Sequence, residues 1–416
     1  MYQRSHLVKC RLYPADEVRM NRTSGWLLLS TFILSSTMAL TSPFTAYFVE
    51  IVLFFILGSL LWWRAGRLSI PAMLSGTFFS AFVFILTFIQ SSYLEHAEII
   101  WPMALRFSFW VIISCGAYAA IRRHDLGAIS RAVAAVLVVH VLFFYIEFFL
   151  FRIFSYEIDY SLLLWGTESR KAFSSSAGEV LRRTSGLTSE PAIYAGYMLG
   201  LIVLRFILIK KNDILMYIAL SSLVASQSTL GVLLCMLYLF FSYARKPSHF
   251  VYGASAFALI FGLVKNSLIA RYELFVSGVD GSNEAKLEVW RYFFSNPEIF
   301  SLGYGFIGVS STSPRFYEGL YDNTVYLNFF ILFGAFLGLF ALLIFLLYLF
   351  RLNLSVSERL LVGLAFVKIS SPVMPFFIVF VVLISAISWR TLNESGVHNN
   401  GAGTRRGGDA GMCASE

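Results

Sequence analysis

The chain has 416 residues, of which 58% are hydrophobic and only 13% are charged, and its formal net charge is +8. A soluble protein of this size carries about a quarter charged residues, so the composition excludes an ordinary soluble domain. The apolar runs are continuous and of helical length, which predicts membrane-spanning α-helices and excludes a β-barrel. Most Lys and Arg residues lie in short gaps between these runs, so the charge predicts membrane topology and no nucleic-acid binding.

Twelve apolar segments are candidate spans, although several are shorter than the ~20 residues of a straight span. The last two could also be one helix broken by prolines, which would leave eleven. We therefore expect an all-α, polytopic helical bundle of about 12 spans within residues 26–390. In chain order the segments are 26–41, 44–63, 68–90, 101–121, 129–151, 191–209, 214–227, 229–244, 250–267, 323–350, 358–370 and 373–389.

Basic residues predict the orientation of these spans. The amino-terminal tail, 1–25, is basic and is expected in the cytoplasm, together with the short basic gaps that alternating spans place on the same side. The gap at 91–100 has two Glu and no Lys or Arg, as expected on the opposite side. Both termini are thus predicted to be cytoplasmic, with 391–416 as a disordered tail. The basic gaps contain Arg64 and Arg67, Arg122 and Arg123, Lys210 and Lys211, Arg245 and Lys246, and Arg351.

Two gaps, 152–190 and 268–322, are much longer than the others and fall outside by the same count. Both contain Arg and Lys, which topology does not require of an outside loop. Long loops tolerate such charges, so plain surface charge is one interpretation. The other is an anionic substrate such as a phosphate-linked lipid, because the planar Arg guanidinium donates paired hydrogen bonds to phosphate.

Ionisable residues inside the predicted spans are expected to have structural roles. His140 and Glu147 lie on one face of the span at 129–151 and are expected to have partners within the bundle, although a transporter would use such residues. Lys368 lies near the end of a span, where its ammonium is expected to reach the membrane surface. The four cysteines have neither CxxC nor metal-ligand spacing, so no disulfide and no metal site are expected.

Four motifs follow one another over residues 180–350. They are RTSGLTSEP at 183–191, SQSTLG at 226–231, AKLEVW at 285–290 with LGYGF at 302–306, and DNTVYL at 322–327 with Gly334 and Gly338. In this order they resemble the motifs of O-antigen and exopolysaccharide polymerases of the Wzy type, members of the O-antigen ligase and polymerase superfamily.

Two positions depart from the pattern of that family. The family has an arginine in its second outer loop where this chain has Lys286, which keeps the charge but loses the paired hydrogen bonds of a guanidinium. Arg291 and Arg271 are therefore alternatives for its role. The position that is often histidine in the ligases is Asp322 here, which favours a polymerase over a ligase.

The resemblance implies a GT-C-type glycosyltransferase on the periplasmic face of the bacterial inner membrane. The donor would be a glycan on undecaprenyl pyrophosphate, and the acceptor another lipid-linked repeat unit. A sugar hydroxyl would attack the anomeric carbon of the donor and displace undecaprenyl pyrophosphate. No cofactor and no metal are expected, because positioned cations stabilise the leaving group. The product would be O-antigen, capsule or exopolysaccharide. Membrane lipid is a further partner, and a chain-length regulator and a flippase are candidate protein partners.

Residue roles follow from the same resemblance. Arg183 would stabilise the leaving pyrophosphate together with a basic residue of the second loop. Glu190 and Asp322 are the candidates for a general base or for a group that orients the acceptor hydroxyl, with a slight preference for Asp322. The candidate substrate-binding residues are Arg182, Arg271, Lys286, Arg291, Arg315, Gly303, Gly305, Asn323 and Tyr326.

Each role also has a purely structural alternative. Arg183 and Glu190 could form an ion pair at the mouth of a helix. Asp322 and Asn323 could cap the helix that follows them, since Asp and Asn accept hydrogen bonds from free helix amides. The Gly-x-Gly stretch at 303–305 could be a turn.

Two other functions remain as alternatives. The nearest is an O-antigen ligase, which would move the glycan to lipid A core. A flippase or transporter, which forms no bond, is the alternative of another class. A transporter would concentrate charges at the middle of the bilayer and often has internal repeats, whereas the polar residues here concentrate in two outer loops.

Overall fold

The computed structural model describes residues 22–37, 70–95, 97–165, 168–169, 171–174, 180–243, 281–307, 313–320, 322–369 and 374–402, with single residues within 56–60 and 251–273. The predicted spans at 44–63 and 250–267 therefore lie mostly outside the described residues. The described chain is helical apart from one short hairpin. Five of its helices are long and apolar enough to cross a membrane, so the prediction of a helical membrane protein is confirmed at this level.

Helices occupy the predicted spans wherever those spans are described. They are α1 (Arg22–Thr37), α2 (Ile70–Gln90), α3 (Ala97–Ile121), α4 (Leu126–Phe154), α5 (Tyr160–Trp165), α6 (Pro191–Ile209), α7 (Ile214–Ala225), α8 (Thr229–Tyr243), α9 (Gly281–Ser295), α10 (Pro297–Leu302), α11 (Val325–Arg351), α12 (Val356–Ala365) and α13 (Pro375–Ala402). A 3-10 helix occupies Arg315–Gly319. Strands β1 (Ala172–Ser174) and β2 (Val180–Arg182) pair antiparallel.

The two outer segments contain helices and strands that were not predicted from the sequence. The segment 152–190 contains the end of α4, α5 and the β1–β2 hairpin, and the segment 268–322 contains α9, α10 and the 3-10 helix. At the carboxyl-terminal end of the described chain, α13 continues to Ala402, whereas disorder was predicted from residue 391. No proline follows Pro375 within this helix, so the backbone can continue its hydrogen bonding past the apolar segment.

Helix α6 is the most enclosed of the five long apolar helices. In the most apolar segment of each helix, 72% of the residues are buried in α6 and 28% in α2. It packs against α4, α7, α8, α12 and α13. A helix that is apolar on all sides is buried either among other helices or in membrane lipid, and α6 is buried among helices. By contrast, α2 and α11 carry large exposed side chains such as Phe78 and Phe336, as expected of helices that face lipid.

Several of the predicted basic gaps meet at one end of the bundle. Arg205, near the end of α6, donates to the carbonyl of Ser130 at the start of α4 (3.3 Å). Lys210, just after α6, pairs with Glu358 in the first turn of α12 (Nζ–Oε1 2.5 Å). The gap before α4, the gap after α6 and the gap after α11 therefore lie together, as alternation of the spans predicts.

Helix α11 is broken at Gly334, whose backbone (φ 76°, ψ −177°) lies in a region that only glycine adopts readily. The segment 302–306 lies against the break. The amide of Tyr304 donates to the carbonyl of Ile331 (2.7 Å), and the amide of Gly305 donates to the carbonyl of Leu332 (3.0 Å). Backbone carbonyls freed by the break thus have donors, which a protein within a bilayer requires.

Gln90, the last residue of α2, completes this junction. Its Nε2 donates to the carbonyls of Leu302 (2.7 Å) and Leu332 (2.9 Å). One buried amide side chain therefore joins α2, the end of α10 and the broken helix α11. This contact holds the second outer segment against the bundle.

The second outer segment also has a small apolar core of its own. Residues of α9, α10 and the 3-10 helix pack there with the turn that follows α2. The predicted outer gap at 91–100 and the second outer segment therefore lie on the same side of the bundle. The buried members are Leu94, Ile100, Val289, Phe293, Ile299, Tyr304, Ile307, Phe316, Tyr317, Leu320 and Ile331.

Candidate functional site

The carboxylate of Asp322 lies between two lysine ammonium groups. Its Oδ2 is 2.7 Å from Nζ of Lys286 in α9, and its Oδ1 contacts Nζ of Lys368, which follows α12. The Lys368 side chain is 7% exposed, against 28% for Lys286. The cluster therefore has two positive charges and one negative charge, with its Lys286 side open to solvent. Such an arrangement suits an anionic ligand.

The same cluster sets the protonation of Asp322. Burial raises the pKa of its carboxyl, but the charges of Lys368 and Lys286 outweigh burial and hold that pKa below its ordinary value. A general base is most effective when its pKa lies near the working pH. Asp322 is therefore better suited to holding two lysines in position than to removing a proton.

Asp322 also does not act as the cap of α11. The N-cap residue of that helix is Thr324, and no side-chain hydrogen bond caps it. Both carboxylate oxygens of Asp322 contact lysines instead. The Asn323 side chain does not contact the lysines in these hydrogen bonds. Its Nδ2 donates to the carbonyl of Gly319 (3.3 Å), and its Oδ1 accepts from the Trp290 indole (3.4 Å).

Lys368 is the residue of this cluster that the sequence analysis did not predict. Its stem is buried against α6, where a Cβ added at Gly196 would lie 2.9 Å from Lys368 Cγ, and its ammonium contacts Asp322. The ion pair with Asp322 accounts for a lysine at this depth, because a buried charge needs a partner. The sequence feature that could have indicated its role is a lysine in an apolar segment just before Pro372, where a charge is costly to retain.

The 183–191 motif forms a tight turn before α6. Ser185 Oγ donates to the carbonyl of Thr188 (2.7 Å), and Thr188 Oγ1 donates to the carbonyl of Ser185 (2.9 Å). Gly186 has φ +58° and lies against α4, where a Cβ would be 3.3 Å from the amide nitrogen of Phe144. Pro191 opens α6, a position where its missing N–H costs nothing.

Glu147 of α4 holds this turn in place. Its Oε2 accepts from the amide of Gly186 (2.8 Å), and its Oε1 is 2.8 Å from Nζ of Lys171. His140 lies seven residues earlier on the same face of α4. Its Nε2 is 2.7 Å from Oγ1 of Thr37 in α1. Glu147 and His140 thus both have partners inside the protein, as predicted, and Glu147 ties the first motif to the bundle.

The predicted residues of the first motif lie along the turn that leads into α6. Arg182 ends β2, opposite Ala172 of β1. Arg183 is half-buried, and its amide donates to the carbonyl of Lys171 (3.0 Å). Glu190 is the half-buried N-cap residue of α6, and its side chain makes no capping hydrogen bond. The N-terminal end of a helix favours negative charge, so an anion close to this turn would be stabilised.

The remaining predicted residues are distributed over the second outer segment. Arg291 in α9 and Arg315 in the 3-10 helix are exposed, and Arg271 lies outside the described residues. The amide of Gly303 donates to Ile299 at the end of α10 (2.8 Å), and that of Gly305 donates to Leu332 and so supports the broken helix α11 (3.0 Å).

Tyr326 joins the start of α11 to α12. Its hydroxyl donates to the carbonyl of Gly363 (2.8 Å), two residues before the end of α12. Lys368 follows shortly after that end. The Tyr326 hydrogen bond therefore helps to set the separation between Lys368 and Asp322.

The first turns of α6 bring the motifs together. Ala195 meets the break between α7 and α8, where a Cβ added at Gly231 would lie 3.2 Å from Ala195 Cβ. The next residue, Gly196, meets Lys368 and through it the Asp322 cluster. The stretches 183–191 and 226–231 therefore border the first turns of α6, and Asp322 of the stretch 322–327 is joined to the same part of α6 through Lys368.

Comparison of the chain with known protein-family models and with curated protein sequences gave no match.

Proposed function

We propose that the protein polymerises undecaprenyl-pyrophosphate-linked oligosaccharide repeat units into a surface polysaccharide. The observation that carries this proposal is that two motif stretches border the first turns of α6, while Lys368, packed on Gly196 of α6, shares the carboxylate of Asp322 in the third stretch with Lys286. This end of α6 is opposite the end where the basic gaps meet. A GT-C-like bundle of about 12 spans, cytoplasmic termini and a periplasmic site in the bacterial inner membrane belong to the same proposal.

The site supplies cations for the leaving group. When the acceptor oxygen bonds to the anomeric carbon, the bond from that carbon to the phosphate oxygen breaks and undecaprenyl pyrophosphate leaves with its electrons. Arg183, Lys286 and Lys368 are the basic residues that would stabilise this charge. Asp322 holds the two lysines in position before the substrate arrives, and preorganised charges of this kind lower the barrier most effectively.

Glu190 is the better candidate for the group that takes or orients the acceptor proton. It belongs to the first motif and lies at the N-terminal end of α6. Asp322 is less suited to this role because both its oxygens contact ammonium groups and its pKa is held low. The slight preference for Asp322 that the family resemblance suggested is therefore reversed in this proposal.

The two alternative functions differ from polymerisation in their products. An O-antigen ligase would use the same donor and the same leaving group but would transfer the glycan to lipid A core. A flippase or transporter would move the lipid-linked unit without breaking a bond. Reconstitution of the purified protein in liposomes, with lipid-linked repeat units as the only added substrate, distinguishes all three. We expect a ladder of longer glycans on undecaprenyl pyrophosphate; an unchanged single-unit substrate would contradict the proposal.

The role of Lys368 can be tested in the same liposomes. Lys368→Met removes the charge and keeps most of the side-chain volume, and we expect the polymerisation rate to fall roughly 100-fold, the loss typical of one group that stabilises transition-state charge. Lys368→Arg should retain part of the rate. Lys211→Met, which removes an exposed lysine at the opposite end of the bundle, is the matched control. A Lys368→Met protein that is folded and polymerises at the normal rate would contradict the assignment.

A further inference from the structure

A cleft of about 160 Å³ lies on the outer surface of the second outer segment. Residues of three separate stretches line it: the turn after α2, the α9–α10 region and the 3-10 helix. None of the residues assigned to the reaction above belongs to it. Its principal lining residues are Tyr93, Glu95, Tyr292, Asn296, Phe316 and Tyr317.

The aromatic wall of the cleft is formed before any ligand binds. The ring centroids of Tyr292 and Phe316 are 5.4 Å apart, and those of Phe316 and Tyr317 are 5.0 Å apart. Phe316 and Tyr317 are buried, whereas Tyr292 is 36% exposed and can contact a ligand. The hydroxyl of Tyr93 donates to the carbonyl of Gly303 (2.6 Å), which fixes the fourth ring. Preformed walls with a few well-placed polar groups are typical of small-ligand sites.

The polar groups decide which kind of ligand fits. Glu95 is one of the residues that line the cleft, and Glu298 is close enough to affect the electrostatics of Tyr93. This negative charge disfavours a phosphate or pyrophosphate group. A sugar ring fits both properties, because its C–H faces pack on aromatic rings and its hydroxyls donate to carboxylate and amide oxygens. The volume is below the roughly 300 Å³ of drug-sized sites, so one ring fits better than a whole repeat unit.

The cleft and the Asp322 cluster share helix α9. Tyr292 and Lys286 are both in α9 and are six residues apart, which corresponds to about 9 Å along the helix axis. We propose that the cleft binds one sugar ring of the lipid-linked glycan and so positions the glycan relative to the lysines. The identity of this glycan rests on the proposed function.

Binding of the glycan without its lipid tests the cleft independently of polymerisation. The probe is the free oligosaccharide released by mild acid from the lipid-linked repeat units, titrated onto the full-length protein in nanodiscs by saturation-transfer NMR. We expect saturable binding, and we expect Tyr292→Ala and Glu95→Ala each to weaken it roughly tenfold. The matched control is Phe294→Ala, which removes an exposed ring of the same helix that does not line the cleft; binding should be unchanged.

The outcomes separate the two proposals. Equal oligosaccharide affinity for the wild type and for Tyr292→Ala, or no binding to the wild type, would overturn the sugar site even if liposomes containing the wild type produce polymer. Inorganic pyrophosphate that displaces the oligosaccharide from the cleft would also overturn it, because the site would then be an anion site. Binding that depends on Tyr292, in a protein that makes no polymer, would support the cleft and contradict the proposed reaction.

Discussion

Replacing Arg183 by alanine is expected to stop polysaccharide chain growth while single lipid-linked repeat units accumulate. Arg183 lies in the turn before α6 and is the first-motif residue best suited to stabilise a leaving pyrophosphate. Loss of one such group lowers a reaction rate by roughly 100- to 1000-fold. The measurement is the chain-length ladder of the membrane glycolipids, together with the amount of protein in the membrane. Long chains at normal abundance would contradict the assignment.

Two further variants separate this role from a structural ion pair with Glu190. Arg183→Lys keeps the charge but loses the paired hydrogen bonds, so intermediate activity is expected if the residue binds phosphate. An ion pair would instead make Arg183→Ala lower the unfolding temperature, and Glu190→Gln would lower it by a similar amount. Arg123→Ala removes an exposed arginine at the opposite end of the bundle and should leave the ladder unchanged.

Replacing Gly334 by alanine is expected to have the largest effect on stability. Its backbone conformation is one that alanine adopts only with strain, and a Cβ would lie 2.3 Å from the carbonyl oxygen of Ser301. To relieve that clash, α11 and the segment 302–306 would have to move apart. This movement would break the hydrogen bonds that join them. We expect the folding stability to fall by roughly 3 kcal/mol or more. The measurement is thermal unfolding of the purified protein in detergent.

Gly116→Ala is the control for this substitution. Gly116 is also buried, but it lies within the regular part of α3, and a Cβ there would be 3.9 Å from Met73 Sδ. This variant should unfold at or slightly above the temperature of the wild type, since alanine is the better helix former. Equal unfolding temperatures for the two variants would show that the break in α11 is not needed for the fold.

Local properties of the sequence predicted the helices well. The span predicted at 191–209 is α6, Pro191–Ile209, because Pro191 marks its first turn and Lys210 ends its apolar run. The hairpin before it was not predicted, since each strand has three residues and such short segments have no periodicity to detect. The structure inside the second outer segment was missed because its helices enclose a core that only appears once the chain is folded.

The candidate site could be predicted only in part. Motif order located Arg183, Lys286 and Asp322, but the meeting of residues 286, 322 and 368 depends on contacts between distant parts of the chain. No spacing along the sequence could indicate that Lys368 is the second partner of Asp322. For the same reason the Gly-x-Gly at 303–305 could not be assigned to the break in α11, which lies 31 residues after Gly303.

The carboxylate between the two lysines also bears on turnover. A polymerase releases one undecaprenyl pyrophosphate for every repeat unit it adds, and a site that binds this product too tightly would stall after one round. Asp322 is attached to the site and competes with the departing anion for Lys286 and Lys368. In the proposed reaction, Asp322 therefore reclaims both ammonium groups as the product leaves, and the site returns to the state in which the next lipid-linked unit can bind.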